Sequence, residues 1–269
     1  MKKRFVISEQ EKKEIKKLHR LSETESKLTK ILQLFAPDEV EDEEDTSTPE
    51  GSDKEINISD YNLSDLNSNE QIVFKQLKED GFTDQAAAAV MGVVGGESGF
   101  KTFKEVSYKN TSNSRIRSIF PSKLGKMSDS KLNNIKQSDE DFFNVVYGGM
   151  YGNKPNEGYK YVGRGFNGIT FKGNYQAAQD CTGISFVSNP ELMEEPKNAA
   201  KALACYFKPV KNISDFEKAF QEAYRQNAGP GHSWEYYANN QNPVNKTGIP
   251  LKRGKAEEYF KKIKNKTLS

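Results

Sequence analysis

The 269-residue sequence predicts a mainly α-helical protein, on three observations. Strong helix formers fill stretches that open on plausible caps, glycine or proline closes several of them, and alternating strand patterns are few. No internal repeat is evident. A hydrophobic fraction of 35% is low for a compact body, so part of the chain is expected to lie outside a core.

The first element reads as one helix over residues 8–35, without Gly or Pro. Ser8 and Glu11 form a capping-box pattern. Leu18, Leu21, Leu28, Leu32 and Phe35 make a stripe that the charged Glu25 interrupts. Such a detached helix suits docking on a partner or on itself, so residues 1–36 read as a docking segment. Pro37 ends it. Residues 38–55 hold ten acidic residues and one lysine, a net of −9, so the remainder carries about +11 of the overall +2. That acidic, Ser/Thr-rich run cannot bury enough apolar surface to order itself, and residues 37–63 read as a flexible linker.

Residues 64–269 read as the globular body. Helices are predicted at 69–78, at 84–94 with Thr83 as cap and Gly95–Gly96 as stop, and at 139–147, 174–181, 196–207 and 213–227. Residues 101–161 otherwise read as loop-rich.

Composition excludes several classes. No stretch approaches the ~20 apolar residues of a membrane span. The basic N-terminus has no apolar run behind it, so no secretory signal is expected and delivery must come by another route. Two histidines, His19 and His232, in unrelated settings, argue against a zinc amidase, and no metal or other cofactor is expected. Cys181 and Cys205 lie in apolar helical segments and are expected as free, buried small hydrophobes. A basic body suits an anionic polymer, nucleic acid or bacterial cell wall alike.

Two segments carry candidate chemistry. Glu97 stands in Gly95-Gly96-Glu97-Ser98-Gly99-Phe100, after a helix. The negative end of the helix dipole and the apolar Val93, Val94 and Phe100 should favour its neutral form, as a glycosidic acid requires. An exposed loop glutamate would read the same from these residues alone. The segment from Glu157 to Tyr175 alternates aromatics, glycines and hydrogen-bonding side chains, which suits a sugar site or a structural turn.

Order and spacing add a resemblance. The chain contains Gly96-Glu97-Ser98-Gly99-Phe100, then Glu105-Val106-Ser107-Tyr108, then Tyr147-Gly148-Gly149-Met150-Tyr151-Gly152-Asn153. There follow Gly158-Tyr159-Lys160-Tyr161-Val162-Gly163-Arg164-Gly165 running to Asn174-Tyr175, then Asn189-Pro190-Glu191-Leu192 and Pro196-Lys197-Asn198-Ala199. Over about residues 71–207 this resembles the glycoside hydrolase family 19 domain of plant chitinases and many phage endolysins.

The resemblance implies a lysozyme-like, chitinase-type fold and inverting cleavage of β-1,4 glycan bonds. It implies Glu97 as general acid and Glu105 as general base, with Thr170 holding the water or substrate. Asn174 and Tyr175 match sugar-binding positions, Arg164 the arginine of the Gly-Arg-Gly turn, and Asn227 a late asparagine. Three positions depart from the pattern: Gly96 replaces a His, Gly168 a Gln, and Met150 an Arg frequent in phage members.

Peptidoglycan is favoured over chitin as substrate by the short loops and the likeness to phage forms. Delivery is expected either as an endolysin released from the host cytoplasm or as a virion enzyme held by its N-terminal helix on another virion protein. A lytic transglycosylase and a wall-binding protein with a decayed site are the competing readings. Nucleic acid is not expected as a partner, because it leaves the paired carboxylates unexplained.

Overall fold

The computed structural model describes residues 58–229, 233–239 and 243–264. The docking segment and most of the linker fall outside these residues. The described residues lie in the unit Lys54–Ser269 and are mainly helical.

A 3-10 turn, Ile58–Asp60, leads into helix α1, Ser68–Glu79. Asn67 caps α1 by accepting from the Asn69 and Glu70 amides, and Glu70 returns the bond to the Asn67 amide at 2.8 Å. Tyr61 packs its ring edge-on to Phe74 and donates its hydroxyl to Asp84 Oδ1 at 2.8 Å. Residues 58–63, read from composition as the end of the linker, therefore belong to the body.

Helix α2, Asp84–Glu97, is the centre of the fold. Thr83 caps it, accepting from the Ala86 amide at 3.1 Å and donating to the Ile213 carbonyl at 2.6 Å. Ala86 through Gly95 are all buried, so α2 is apolar around its whole circumference and needs partners on every side. It finds them in α1, in α9 (Phe216–Ala228) and above all in the last helix, α11 (Pro243–Lys264).

Gly95 and Gly96 do not stop α2, which continues to Glu97. The reason is clearance. A Cβ on Gly92 would stand 2.3 Å from Ala256 Cβ, and one on Gly96 2.3 Å from Lys252 Cγ. Positions 92 and 96 lie on one helical face, and 252 and 256 on one face of α11. The glycines let the two helices approach closely, and that packing outweighs their poor helix propensity.

The region read as loop-rich holds α3 (Asn113–Ile119), α4 (Pro121–Leu124), α5 (Asp129–Ile135) and α6 (Asp139–Tyr147). They close over a second core of Ile116, Leu124, Leu132, Phe142, Phe143, Val146 and Val162. Helix α7, Lys172–Thr182, and α8, Pro196–Tyr206, bound a third cluster around Tyr161, Tyr175 and Phe186. A short helix α10, Trp234–Asn239, precedes α11. Among the described residues the strands form one antiparallel pair, β1 (Phe103–Lys104) with β2 (Arg164–Gly165), matching Phe103 to Gly165 and Lys104 to Arg164.

The cysteines correct the sequence expectation. Cys181 and Cys205 form a disulfide joining α7 to α8, with Cys181 exposed and Cys205 half-buried. Each lies near the end of its helix, and the pairing depends on how the two helices pack, which spacing along the chain does not encode.

Candidate active site

The β1–β2 pair positions the first carboxylate. The Glu105 amide, just beyond β1, donates to the Gly163 carbonyl at 2.8 Å and so continues the ladder. Its carboxylate accepts from the Tyr147 hydroxyl at 3.0 and 3.1 Å, from the Tyr108 hydroxyl at 3.3 Å and from the Gly163 amide at 3.4 Å. Tyr147 ends α6, and Tyr108 stacks on Phe142 of the second core, so both phenols are fixed from behind.

Burial pushes the Glu105 carboxyl above its ordinary range, opposed by the bonds from Tyr147, Gly163 and Tyr108. Burial first and the neighbouring carboxylate second push Tyr108 up to about 12, and Tyr147 is raised for the same reasons. The phenols therefore remain donors throughout the working pH range.

A pH effect on stability follows. The folded chain holds the Glu105 proton more tightly than the unfolded chain. That stabilisation is complete below the ordinary carboxylate range and is lost as pH rises through the raised folded value. Glu105→Gln is expected to flatten this part of the curve. Melting temperatures of both proteins from acid to neutral pH check it, and parallel curves would contradict it.

Thr170 sits beside this carboxylate. A Cβ on Gly163 would stand 3.2 Å from Thr170 Oγ1 and 3.6 Å from Glu105 Oε2, so both groups lie beside the bare backbone of this glycine. The Thr170 hydroxyl donates to the Gly168 carbonyl at 2.8 Å, which leaves its lone pairs available as acceptors. Gly168 has φ +67°, and a Cβ there would meet Phe103 Cζ at 3.2 Å. The ring of Phe103, 37% exposed, thus crowds the position where the family pattern has Gln.

Three expected binding residues have other places. Arg164 is buried, bonded to Glu194 at 2.8 Å, to the Lys160 carbonyl at 2.9 Å and to the Tyr175 hydroxyl at 3.0 Å. Tyr175 is fully buried and donates to the Val162 carbonyl at 2.8 Å. Together they brace the turn carrying Gly163 from beneath, with no surface to offer a sugar. Asn174 is exposed, but its amide donates to the Thr170 carbonyl at 2.8 Å, tying that residue to α7.

Glu97 is not in the apolar setting expected of it. At the last position of α2 its side chain is 41% exposed and pairs with Lys252 Nζ of α11 at 2.5 Å. The side chain of Lys252 is only 12% exposed, with its ammonium 5.4 Å from the Tyr224 ring centre. Asn227 Nδ2, near the end of α9, lies 3.4 Å from Glu97 Oε2, so the loosely matched asparagine does stand beside this carboxylate.

Sequence reasoning missed Lys252, which is 155 residues from Glu97 and carries no motif of its own. Gly96 held the only trace of it, since a His there would collide with the Lys252 stem. Tyr108 and Tyr147 stood within quoted motifs, but without a role.

Among the described residues, no cluster of three or more His, Cys, Asp or Glu side chains is arranged to hold a metal ion, and no helix is long and apolar enough to cross a membrane. No protein-family model matches the chain, and no curated protein matches it. The functional reading therefore rests on the residues and their geometry.

Proposed function

We propose that the chain is a lysozyme-like glycoside hydrolase that cleaves β-1,4 bonds of peptidoglycan with inversion. The observation that carries this reading is the placement of the Glu105 carboxylate and the Thr170 hydroxyl side by side at Gly163. A water bridging the two groups, beyond the bare Gly163 backbone, would be held by a hydroxyl and deprotonated by a carboxylate whose burial makes it a stronger base. Attack on the anomeric carbon from that side, with proton delivery to the leaving oxygen from the other, is a single displacement.

Glu97 is the proton donor in this scheme. Its bond to Lys252 opens as glycan enters and the freed carboxylate takes up a proton from solvent; once that proton has passed to the leaving oxygen, the ammonium pairs with the carboxylate again. Asn227 orients the same carboxylate or the sugar beside it. The exposed Cys181–Cys205 disulfide suits action in an oxidising compartment such as the bacterial cell wall. Residues 1–36 serve as the virion dock in this reading, with endolysin release as the alternative delivery.

The test is digestion of purified peptidoglycan by the full chain, with products identified by mass spectrometry and their first-formed anomer by NMR. Free reducing ends that appear as the α-anomer are expected. Anhydro ends would assign a lytic transglycosylase, and wall binding without turnover would assign a non-catalytic protein.

A further inference from the structure

Tyr151 is 71% exposed and has a φ of +44°, a left-handed conformation that a bulky residue rarely adopts. Its neighbours Gly149 and Gly152 take positive φ at little cost, whereas Tyr151 does not. A strained backbone that displays a large aromatic ring to solvent needs a reason beyond packing.

The loop carrying Tyr151 is held rigidly. Asn153, buried, donates to the Tyr147 carbonyl at 3.0 Å and accepts from the Lys172 amide at 2.8 Å. It thereby caps α7, which has no capping side chain next to it. The Gly173 amide, in the same first turn, donates to the Tyr151 carbonyl at 3.0 Å. The loop is thus pinned at Tyr151 and Asn153 to the helix that follows Thr170 and, through Asn153, to the end of α6.

The ring also connects to the site. Tyr151 lies 4.8 Å from Phe171 between ring centres, and Phe171 lies 5.2 Å from Tyr147, whose hydroxyl holds Glu105. Phe171 has positive φ as well, +73°. Two strained aromatics therefore form a continuous run from the carboxylate to solvent.

We propose that Tyr151 is a sugar-stacking platform, which takes the apolar face of an N-acetylhexosamine ring of the glycan strand next to the bond being cut. Pyranose rings present a face of C–H groups that packs on a flat aromatic, and a preorganised ring binds without first losing rotamer freedom. This subsite rests on the hydrolase reading and adds the residue that selects an extended strand over a short fragment.

The test uses the full chain carrying Glu97→Gln, so that glycan is bound and not consumed, titrated with a soluble β-1,4 N-acetylglucosamine oligomer by calorimetry. Adding Tyr151→Gly is expected to weaken binding about tenfold. Tyr151→Phe should keep affinity within about twofold of the parent, because the ring face and not the hydroxyl makes the contact. The melting temperature of Tyr151→Gly should hold or rise, since glycine relieves the strained φ.

In the active chain, Tyr151→Gly should raise KM far more than it lowers kcat. Unchanged affinity in Tyr151→Gly, equal losses in the Gly and Phe variants, or a lower melting temperature with Gly would each overturn the platform. Those results on a chain that still digests peptidoglycan leave the hydrolase reading standing. Absence of turnover in the wild type together with absence of oligomer binding would overturn both.

Discussion

Under the proposed hydrolase function, Glu97→Gln and Glu105→Gln are each expected to slow the clearing of cell-wall suspensions by about 10²–10⁴-fold, the usual worth of a positioned acid or base. Both substitutions keep the side chain's shape, and neither residue lies in the apolar core, so the folded state should survive. The two losses differ in kind, and the difference assigns the roles. An aryl glycoside with a good leaving group needs little protonation, so it should restore much of the rate to Glu97→Gln and none to Glu105→Gln.

Azide should act the other way. In Glu105→Ala, an azide ion can enter from the side of Thr170 and Gly163, where a water no longer has a base. The product would be an α-glycosyl azide, formed with the same inversion. Retention of full activity by either Gln variant would remove that carboxylate from the mechanism. Azide rescue of a Glu97 variant in place of a Glu105 variant would exchange the roles.

The helices with long apolar faces and standard caps were readable before any coordinates. Asn67, Thr83, Ser138 and Asp215 cap helices that the sequence also predicts. Helices α3 and α5 have caps of the same kind, Ser112 and Ser128, but seven residues each is too short a stretch for periodicity to rise above polar loop composition. Glycine carried the most misleading signal. At positions 92 and 96 it reads as helix weakening or termination, and only the partner helix shows that it is clearance.

The site divides along the same line. Glu105, Thr170 and Gly163 converge because the β1–β2 pair and the Gly-Arg-Gly turn bring neighbouring motifs together, and such local geometry leaves a pattern in sequence. Tyr175 and Arg164 share that pattern, yet they support it from inside, since a motif does not distinguish a residue that touches ligand from one that braces it. Lys252 comes from the far end of the chain. Its pairing with Glu97 is a product of helix packing, legible only as the missing side chain at Gly96.

That packing yields the second large effect, at Gly92. Helix propensity alone says that Gly92→Ala should stabilise a buried helix interior by about 0.8–1.0 kcal/mol. The contact says otherwise. The added Cβ would lie 2.3 Å from Ala256 Cβ, 2.4 Å from Ala256 N and 2.5 Å from Ala256 Cα. Two of those atoms are backbone, so no rotamer change relieves the overlap and α11 has to move away from α2.

Overpacking of this kind costs about 1–3 kcal/mol, and displacement of a whole helix that buries Ile249, Tyr259 and Ile263 places the cost at or above the top of that range. The steric term therefore outweighs propensity by about 2 kcal/mol or more, and the variant is expected to melt at least about 4–8 °C lower, at roughly 2–4 °C per kcal/mol for a body of this size. Because α11 also carries Lys252, the same shift should lengthen its bond to Glu97 and change the pH dependence of activity along with the melting temperature. Ala256→Gly in the Gly92→Ala background removes one of the three clashing atoms and should recover only part of both. A melting temperature that rises in Gly92→Ala would show that propensity wins and that α11 is not seated against α2 at this glycine.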